Sequence, residues 1–356
     1  MNVINFDYIN YHDKNLVEQF CHDSSVKKYI LGINKLTKSV QKHIEVDGTI
    51  DDFTRVQRSR KKTVLKIEEV PKDSIILSVS TGSPLEVIEK LDEMGFTHIN
   101  YLALYHYSDL ELTAPPFMED FKSDFQNYHD RYEKVYNLLE DDKSKTIFEK
   151  LINFKTSFDF EFMKGFTNNH EEQYFDKEIL PELKNIRFVD GGGYVGDTLS
   201  TIIKNFPDYE KIIMIEPISE NMRIAKRDWG EQKNIEFIPL GLSNKKATLH
   251  FDDEKSFSST YGNRVHSVEV DTLDNLIQEP IDFIKLDIEG AEQDALEGAK
   301  ESIKKYHPVL AICIYHKAED WYKIPEQVLA INPHYKLYLR HYMEGIFETV
   351  LYFIPV

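Results

Sequence analysis

The run FVDGGGYVGDT, residues 188–198, constrains this chain more than any other stretch. An apolar strand ends at Asp190, the glycines Gly191, Gly192, Gly193 and Gly196 make a turn, and a helical pattern follows. Glycine lets the backbone approach a ligand closely and adopt positive φ without a Cβ clash. A strand, a glycine turn and a helix in this order belong to a nucleotide-type site at the edge of a parallel α/β sheet.

The turn alone leaves two ligands open, because Gly191 to Gly196 also satisfies the dinucleotide pattern G-x-G-x-x-G. Asp190, directly before the glycines, separates them. An acid there repels a pyrophosphate, whereas in an S-adenosylmethionine (SAM) site it can accept hydrogen bonds from the ligand's ammonium group or its ordered water. About twenty residues on, Glu216 ends the strand-like IIMIEP, where a carboxylate can accept both hydroxyls of a ribose.

The order of apolar runs supports the second ligand. Buried strands are expected at RFVDGG, KIIMIEP, IEFIPLGL, IDFIKLDI and PVLAICIY. Two further strand-like runs, ATLHF and VHSVEV, flank the polar loop DDEKSFSSTYGNR. At the end, YKLYLRHY and FETVLYFIPV flank Met343, Glu344 and Gly345 and read as an antiparallel hairpin. A parallel sheet closed by such a hairpin is the methyltransferase arrangement and not the dinucleotide one.

VDGGGYVGDT, IEP, IPLGLSN, SVEVDTLDNL, IKLDIEGAEQDALEGA, YHKAEDWYKIP and RHY…ETVLY, in this order and spacing, resemble the FkbM family of methyltransferases. The resemblance implies a seven-stranded Rossmann-like methyltransferase domain, SAM as methyl donor with S-adenosylhomocysteine as product, and O-methylation of a sugar or a polyketide-like alcohol. Residue by residue it implies a cofactor site of Asp190, Gly191, Gly192, Gly196, Glu216, Pro217, Gly241, Leu242 and Asp287. Gly241 and Leu242 would border the adenine. Gly193 stands where many members carry alanine, which is expected only to loosen the loop.

Methyl transfer from a sulfonium needs alignment and a base for the acceptor's proton. His316 is the first candidate base, an imidazole that takes a proton near neutral pH when its pKa is ordinary. Asp287 and Glu289, beyond the fourth strand, are the other catalytic candidates. A divalent metal on Asp287 would lower the acceptor's pKa. One acid-rich strand end is not a full oxygen cage, so no metal is expected. Lys285 is expected in an ion pair, His341 in a structural role, and Tyr174 and Phe175 either over the cofactor or in the core.

The first half reads as a smaller α/β unit, with strands at KYILGI, HIEVDGTI, DSIILSVS and HINYLALY and a helix at PLEVIEKLDEMG. It resembles the small Rossmann-like domain attached to sugar-acetyltransferase-type enzymes. That implies a nucleotide-sugar partner, but only Gly32 remains of the expected glycine turn. A scaffold or homodimer role is the other reading. The amphipathic runs DRYEKVYNLLEDD and KSKTIFEKLINF form a helical connector. The expected division is 1–112, 113–172 and 173–356.

The composition sets outer limits. The 41% hydrophobic and 29% charged residues suit a globular chain that buries a core. A net charge of -18 argues against nucleic acid as partner, since phosphate contacts need a basic footprint. Two cysteines, Cys21 and Cys313, support neither a disulfide framework nor a thiolate cage. No apolar run reaches the roughly 20 residues of a membrane span, and no leader-like segment is seen, so a cytoplasmic protein is expected. Two other readings stay open: a non-catalytic SAM-binding or scaffold module of a glycan-assembly complex, and an NAD-dependent oxidoreductase using the same glycine turn.

Overall fold

A computed structural model of the chain describes residues 1–51, 64–250, 257–258, 264–265 and 267–356. These residues form two compact units. One comprises Met1–Ser123, Phe148–Asn168 and Tyr342–Phe347, the other Asp124–Ile147, Asn169–His341 and Glu348–Val356.

The first unit is built on five parallel strands: β1 (Lys28–Leu31), β2 (Gly48–Ile50), β3 (Val64–Leu65), β4 (Ile75–Ser78) and β5 (Thr97–Asn100). Their order is β3-β2-β1-β4-β5, so the sheet is doubly wound about β1 and β4. Strand alternation sends successive side chains to opposite faces. Ile75 and Leu77 therefore pack with Leu16, Val17 and Phe20 of α1 (Tyr11–His22) and Leu36 and Val40 of α2 (Lys35–Val40). Ile76 packs on the other face with Leu91 of α3 (Pro84–Glu93). Gly32, at φ +110°, lets the loop after β1 pass Val79, whose Cγ2 would lie 2.8 Å from an added Cβ.

HINYLALY is not one strand. After Asn100 the chain turns into α4 (Tyr101–Tyr107), and the Asn100 side chain caps it by accepting from the Ala103 amide at 2.9 Å. A short run apolar on every side carries no period, so a cap residue decides between strand and helix. The two amphipathic runs are helices as expected, within α5 (Phe121–Leu138) and α6 (Asp142–Ser157).

The second unit holds a seven-stranded sheet of β6 (Arg187–Gly191), β7 (Lys211–Ile215), β8 (Ile235–Ile238), β14 (Phe283–Leu286), β15 (Val309–Cys313), β16 (Tyr335–His341) and β17 (Thr349–Pro355). Between β8 and β14 the chain adds β9 (Gly241–Leu242), β10 (Ala247–His250) and β13 (Ser267–Asp271) as a small separate sheet. A two-residue ribbon pairs β11 (Phe257–Ser258) with β12 (Arg264–Val265). The rest of the polar loop DDEKSFSSTYGNR lies outside the described residues.

The large sheet runs β16-β17-β15-β14-β6-β7-β8. The five strands from β15 to β8 are parallel, and β17 inserts antiparallel between β15 and β16. The parallel sheet thus closes with the antiparallel hairpin expected from the two final apolar runs. The central strands are buried on both faces, which is why they read as unbroken apolar runs. Across β6 and β14, Phe188 and Phe283 stack at 4.6 Å. IEFIPLGL departs from expectation: β8 is the edge strand and is half-exposed, so its apolar residues are only partly covered.

Helices α7 (Leu199–Asn205), α8 (Ser219–Trp229), α9 (Leu273–Leu276), α10 (Glu292–Glu297), α11 (Lys300–Tyr306) and α12 (Asp320–Ile331) connect the strands. No helix among the described residues is long and apolar enough to cross a membrane.

Candidate active site at the carboxyl edge of the large sheet

Strand register builds the site. Gly191 lies opposite Ile215 and Leu286, and Leu286 lies opposite Ile312. The next residues, Gly192, Glu216, Asp287 and Cys313, therefore emerge in one row at the carboxyl edge, where open α/β sheets take their ligands.

The glycine turn is held at atomic contact. Gly192 has φ +75°, and a Cβ on it would lie 1.8 Å from the Asp287 carbonyl oxygen. The Gly192 and Gly193 amides both donate to the Ile215 carbonyl, at 3.0 and 3.1 Å. Gly191 is bounded by Leu286 and Leu242, Gly196 by Trp229, and Gly241 by Val270 and Pro217. These contacts bring β9 and Pro217 to the same edge as the turn.

Gly193 does more than loosen the loop. A Cβ there would meet Met214 Cγ at 2.4 Å, inside the buried β7. We expect Gly193→Ala to cost about 1–3 kcal/mol through overpacking, measured by urea denaturation. An unchanged midpoint would mean that Met214 yields freely.

Asp190 is fully buried and forms an ion pair with Lys285, with Nζ 2.9 Å from Oδ1. Lys285 also donates to the Gly192 carbonyl at 2.8 Å, so the pair ties the turn to β14. Burial opposes the charge on Lys285, but Asp190 and Asp287 outweigh it and hold the ammonium well above its usual range. Glu216 accepts from the Ile218 amide at 2.8 Å, the Tyr194 amide at 3.1 Å and Asn221 at 3.3 Å. These donors fix its carboxylate beside the turn, while burial pushes its pKa up.

Asp287 accepts from two tyrosines that the motifs do not contain together. Tyr174 donates at 2.9 Å and Tyr315 at 3.1 Å. Tyr174 sits at φ +69°, and its hydroxyl is also 3.4 Å from the buried Cys313 Sγ. Glu348, just before the last strand, accepts from Gln173 and is pushed up to about 7 by burial and by Asp287. His341 pairs with Thr349 across the hairpin at 2.9 Å.

His316 is buried among acids. Its Nδ1 lies 3.1 Å from Glu292 Oε1, and its Nε2 lies 3.5 Å from Asp287 and 3.8 Å from Glu289. Burial would lower this histidine, but the bond to Glu292 and the charges of Glu292, Asp287 and Glu289 raise it to about 9. The ordinary value expected from the sequence is thus displaced by its neighbours. Glu289 takes φ +55° at the turn after β14, and most of its side chain faces solvent. Beyond it, Asp320 is raised to about 7 by burial, against a hydrogen bond from Gln293.

The motif residues Asp190, Gly191, Gly192, Gly196, Glu216, Pro217, Gly241, Leu242, Asp287, Glu289 and His316 thus border one edge of one sheet. Glu292, Tyr315 and Glu348 were not singled out from the sequence. A third acid in the block, five residues after Asp287, is the one signal that could have pointed to Glu292.

Residues 190–342 match the methyltransferase FkbM domain. The crystal structure of methyltransferase FkbM from Methylobacillus flagellatus KT is similar at a TM-score of 0.78 and 22% identity, covering 97% of this chain and 94% of that one. An rRNA methylase from Streptococcus thermophilus is far less similar, at a TM-score of 0.35 and 16% identity over 52% of this chain and 94% of its own. Aeropyrum pernix fibrillarin with bound S-adenosyl-L-methionine reaches 0.33 and 13% over 49% of this chain and 70% of its own. No curated protein matches the chain.

Proposed function

We propose that this chain, whose residues 190–342 match the methyltransferase FkbM domain, transfers a methyl group from SAM to a hydroxyl of a sugar, nucleotide-sugar or glycan precursor. One observation carries the cofactor assignment. The glycine turn is pressed against Asp287 while Glu216 is fixed beside it, so a nucleoside can lie along the turn with its ribose on a carboxylate. Asp190, Gly191, Gly192 and Gly196 shape that turn. Pro217, Gly241 and Leu242 would flank the base.

In the reaction, the acceptor oxygen forms a bond to the methyl carbon and the sulfur–carbon bond breaks, its electron pair returning to sulfur. S-adenosylhomocysteine leaves as a neutral thioether. The acceptor's proton passes to a carboxylate of the acidic edge, Glu289 or Asp287, while His316, raised to about 9 and so protonated near neutral pH, holds these acids in place. The edge aligns donor and acceptor, an effect worth roughly 7–11 kcal/mol. The first unit, doubly wound about β1 and β4, either binds a nucleotide-sugar or serves as a scaffold or homodimer element. The chain acts in the cytoplasm.

The test is calorimetric titration with S-adenosylhomocysteine and, separately, NAD. Glu216→Ala is expected to weaken S-adenosylhomocysteine at least about 10-fold, or roughly 1.4 kcal/mol. Unchanged affinity removes Glu216 from the site, and NAD binding in place of S-adenosylhomocysteine overturns the reading. Binding without transfer to any hydroxyl acceptor would favour a non-catalytic module.

A further inference from the structure

We propose that Asp287, Glu292 and His316 bind a divalent transition-metal ion at the acceptor end of the site, an inference that rests on the methyltransferase reading and assigns its activating group. Each of the three offers one donor atom, and all of these atoms lie within 4.8 Å of one another. The set is two carboxylates and one imidazole; the carboxylates suit hard divalent ions such as Mn²⁺, and the imidazole favours a transition metal over Ca²⁺ or Mg²⁺. Glu289, 3.8 Å from His316 Nε2, stands at the rim as a fourth acid.

The arrangement is more than a group of surface acids. Glu292 is fully buried, and its Oε2 has no hydrogen-bond partner among the described residues. Its Oε1 already accepts from the Ile288 amide at 2.9 Å and faces His316 Nδ1. An ionised carboxylate with one oxygen buried and unused is costly, and a cation beside it removes the cost. Three acids surround one imidazole, an excess of negative charge even with the ring protonated, and an ion bound to His316 displaces the ring proton, so its affinity falls as pH drops. Tyr174 donates to Asp287 Oδ2 and Tyr315 to Oδ1, so the two tyrosines fix the carboxylate's orientation, as outer partners do around metal ligands.

A cation here would act as a Lewis acid on the acceptor hydroxyl. The hydroxyl oxygen binds the ion, its proton passes to the Glu289 carboxylate and on to water, and the oxygen attacks the sulfonium methyl.

The test uses the full chain stripped with a chelator and then dialysed free of it. Mn²⁺ is titrated by calorimetry and by electron paramagnetic resonance, and folding is checked by circular dichroism. One Mn²⁺ per chain is expected, weakened about 10–100-fold in Glu292→Gln and also weakened in Asp287→Asn. Glu289→Gln, at the exposed rim, keeps the fold and tests the same site if the buried variants do not. Absence of Mn²⁺ binding to the folded chain at millimolar concentration overturns the proposal. So does binding that none of the three variants changes. S-adenosylhomocysteine affinity of the wild-type chain, measured without added ion, tests the cofactor reading separately. Its loss with Mn²⁺ binding intact overturns that reading and not the metal site.

Discussion

Gly192→Ala is expected to abolish measurable S-adenosylhomocysteine binding, a loss of at least about 100-fold or roughly 2.7 kcal/mol. Two effects combine. At φ +75° a side chain is strained wherever it points. Its Cβ would also fall 1.8 Å from the Asp287 carbonyl oxygen, a backbone atom that no rotamer change can move. The turn and the end of β14 must then separate. That breaks the hydrogen bond the Asp287 amide donates to the Gly191 carbonyl at 3.1 Å and the one Lys285 donates to the Gly192 carbonyl at 2.8 Å. Gly82, in the first unit, is the control, because nothing lies within 4 Å of an added Cβ. Gly82→Ala should bind S-adenosylhomocysteine as the wild type does. Full affinity in Gly192→Ala would place the cofactor elsewhere.

The second large effect concerns stability. Arg340 is buried on β16 and reaches Asp176 at 2.7 Å, Asp141 at 2.7 Å and Ser144 at 2.9 Å. Arg340→Met keeps much of the volume but leaves two acids without their cation, and should cost about 3–5 kcal/mol. Urea denaturation checks this, and a loss under about 1 kcal/mol would show that water reaches the acids. Arg340→Lys keeps a charge without the planar fork and should fall between.

The pH dependence has a definite sign. Burial would raise Asp141, but Arg340 and Ser144 hold it down at about 2. Its folded value lies below the unfolded value of about 3.9. Its contribution is therefore present above that value and is lost as pH falls through about 2. The gap between wild type and Arg340→Met should narrow as pH drops from 5 toward 2. A constant gap would assign the arginine's role to packing.

Much of the fold was legible in the residues because its signals are local. FVDGGGYVGDT needs its glycines where the strand turns, and the runs from KIIMIEP to PVLAICIY are apolar because both faces of the central strands are covered. The closing hairpin showed in the two final runs around Met343–Gly345. HINYLALY failed because its apolar stretch YLALY has no period and the Asn100 cap decided. IEFIPLGL failed on burial because a strand's place at the edge is set by its neighbours and not by its own residues.

The site divides in the same way. By itself the sequence determined the glycine turn, the acids that follow the strands and the order of the strands that carry them, since each depends on residues a few positions apart. Only the tertiary structure decided that Tyr174 and Tyr315 meet on Asp287, that Lys285 reaches back to Asp190, and that His316 lies between Glu292 and the edge acids. Those partners are brought together by sheet register and burial. The charge of a buried group is set by what surrounds it in space, which its neighbours along the chain do not specify.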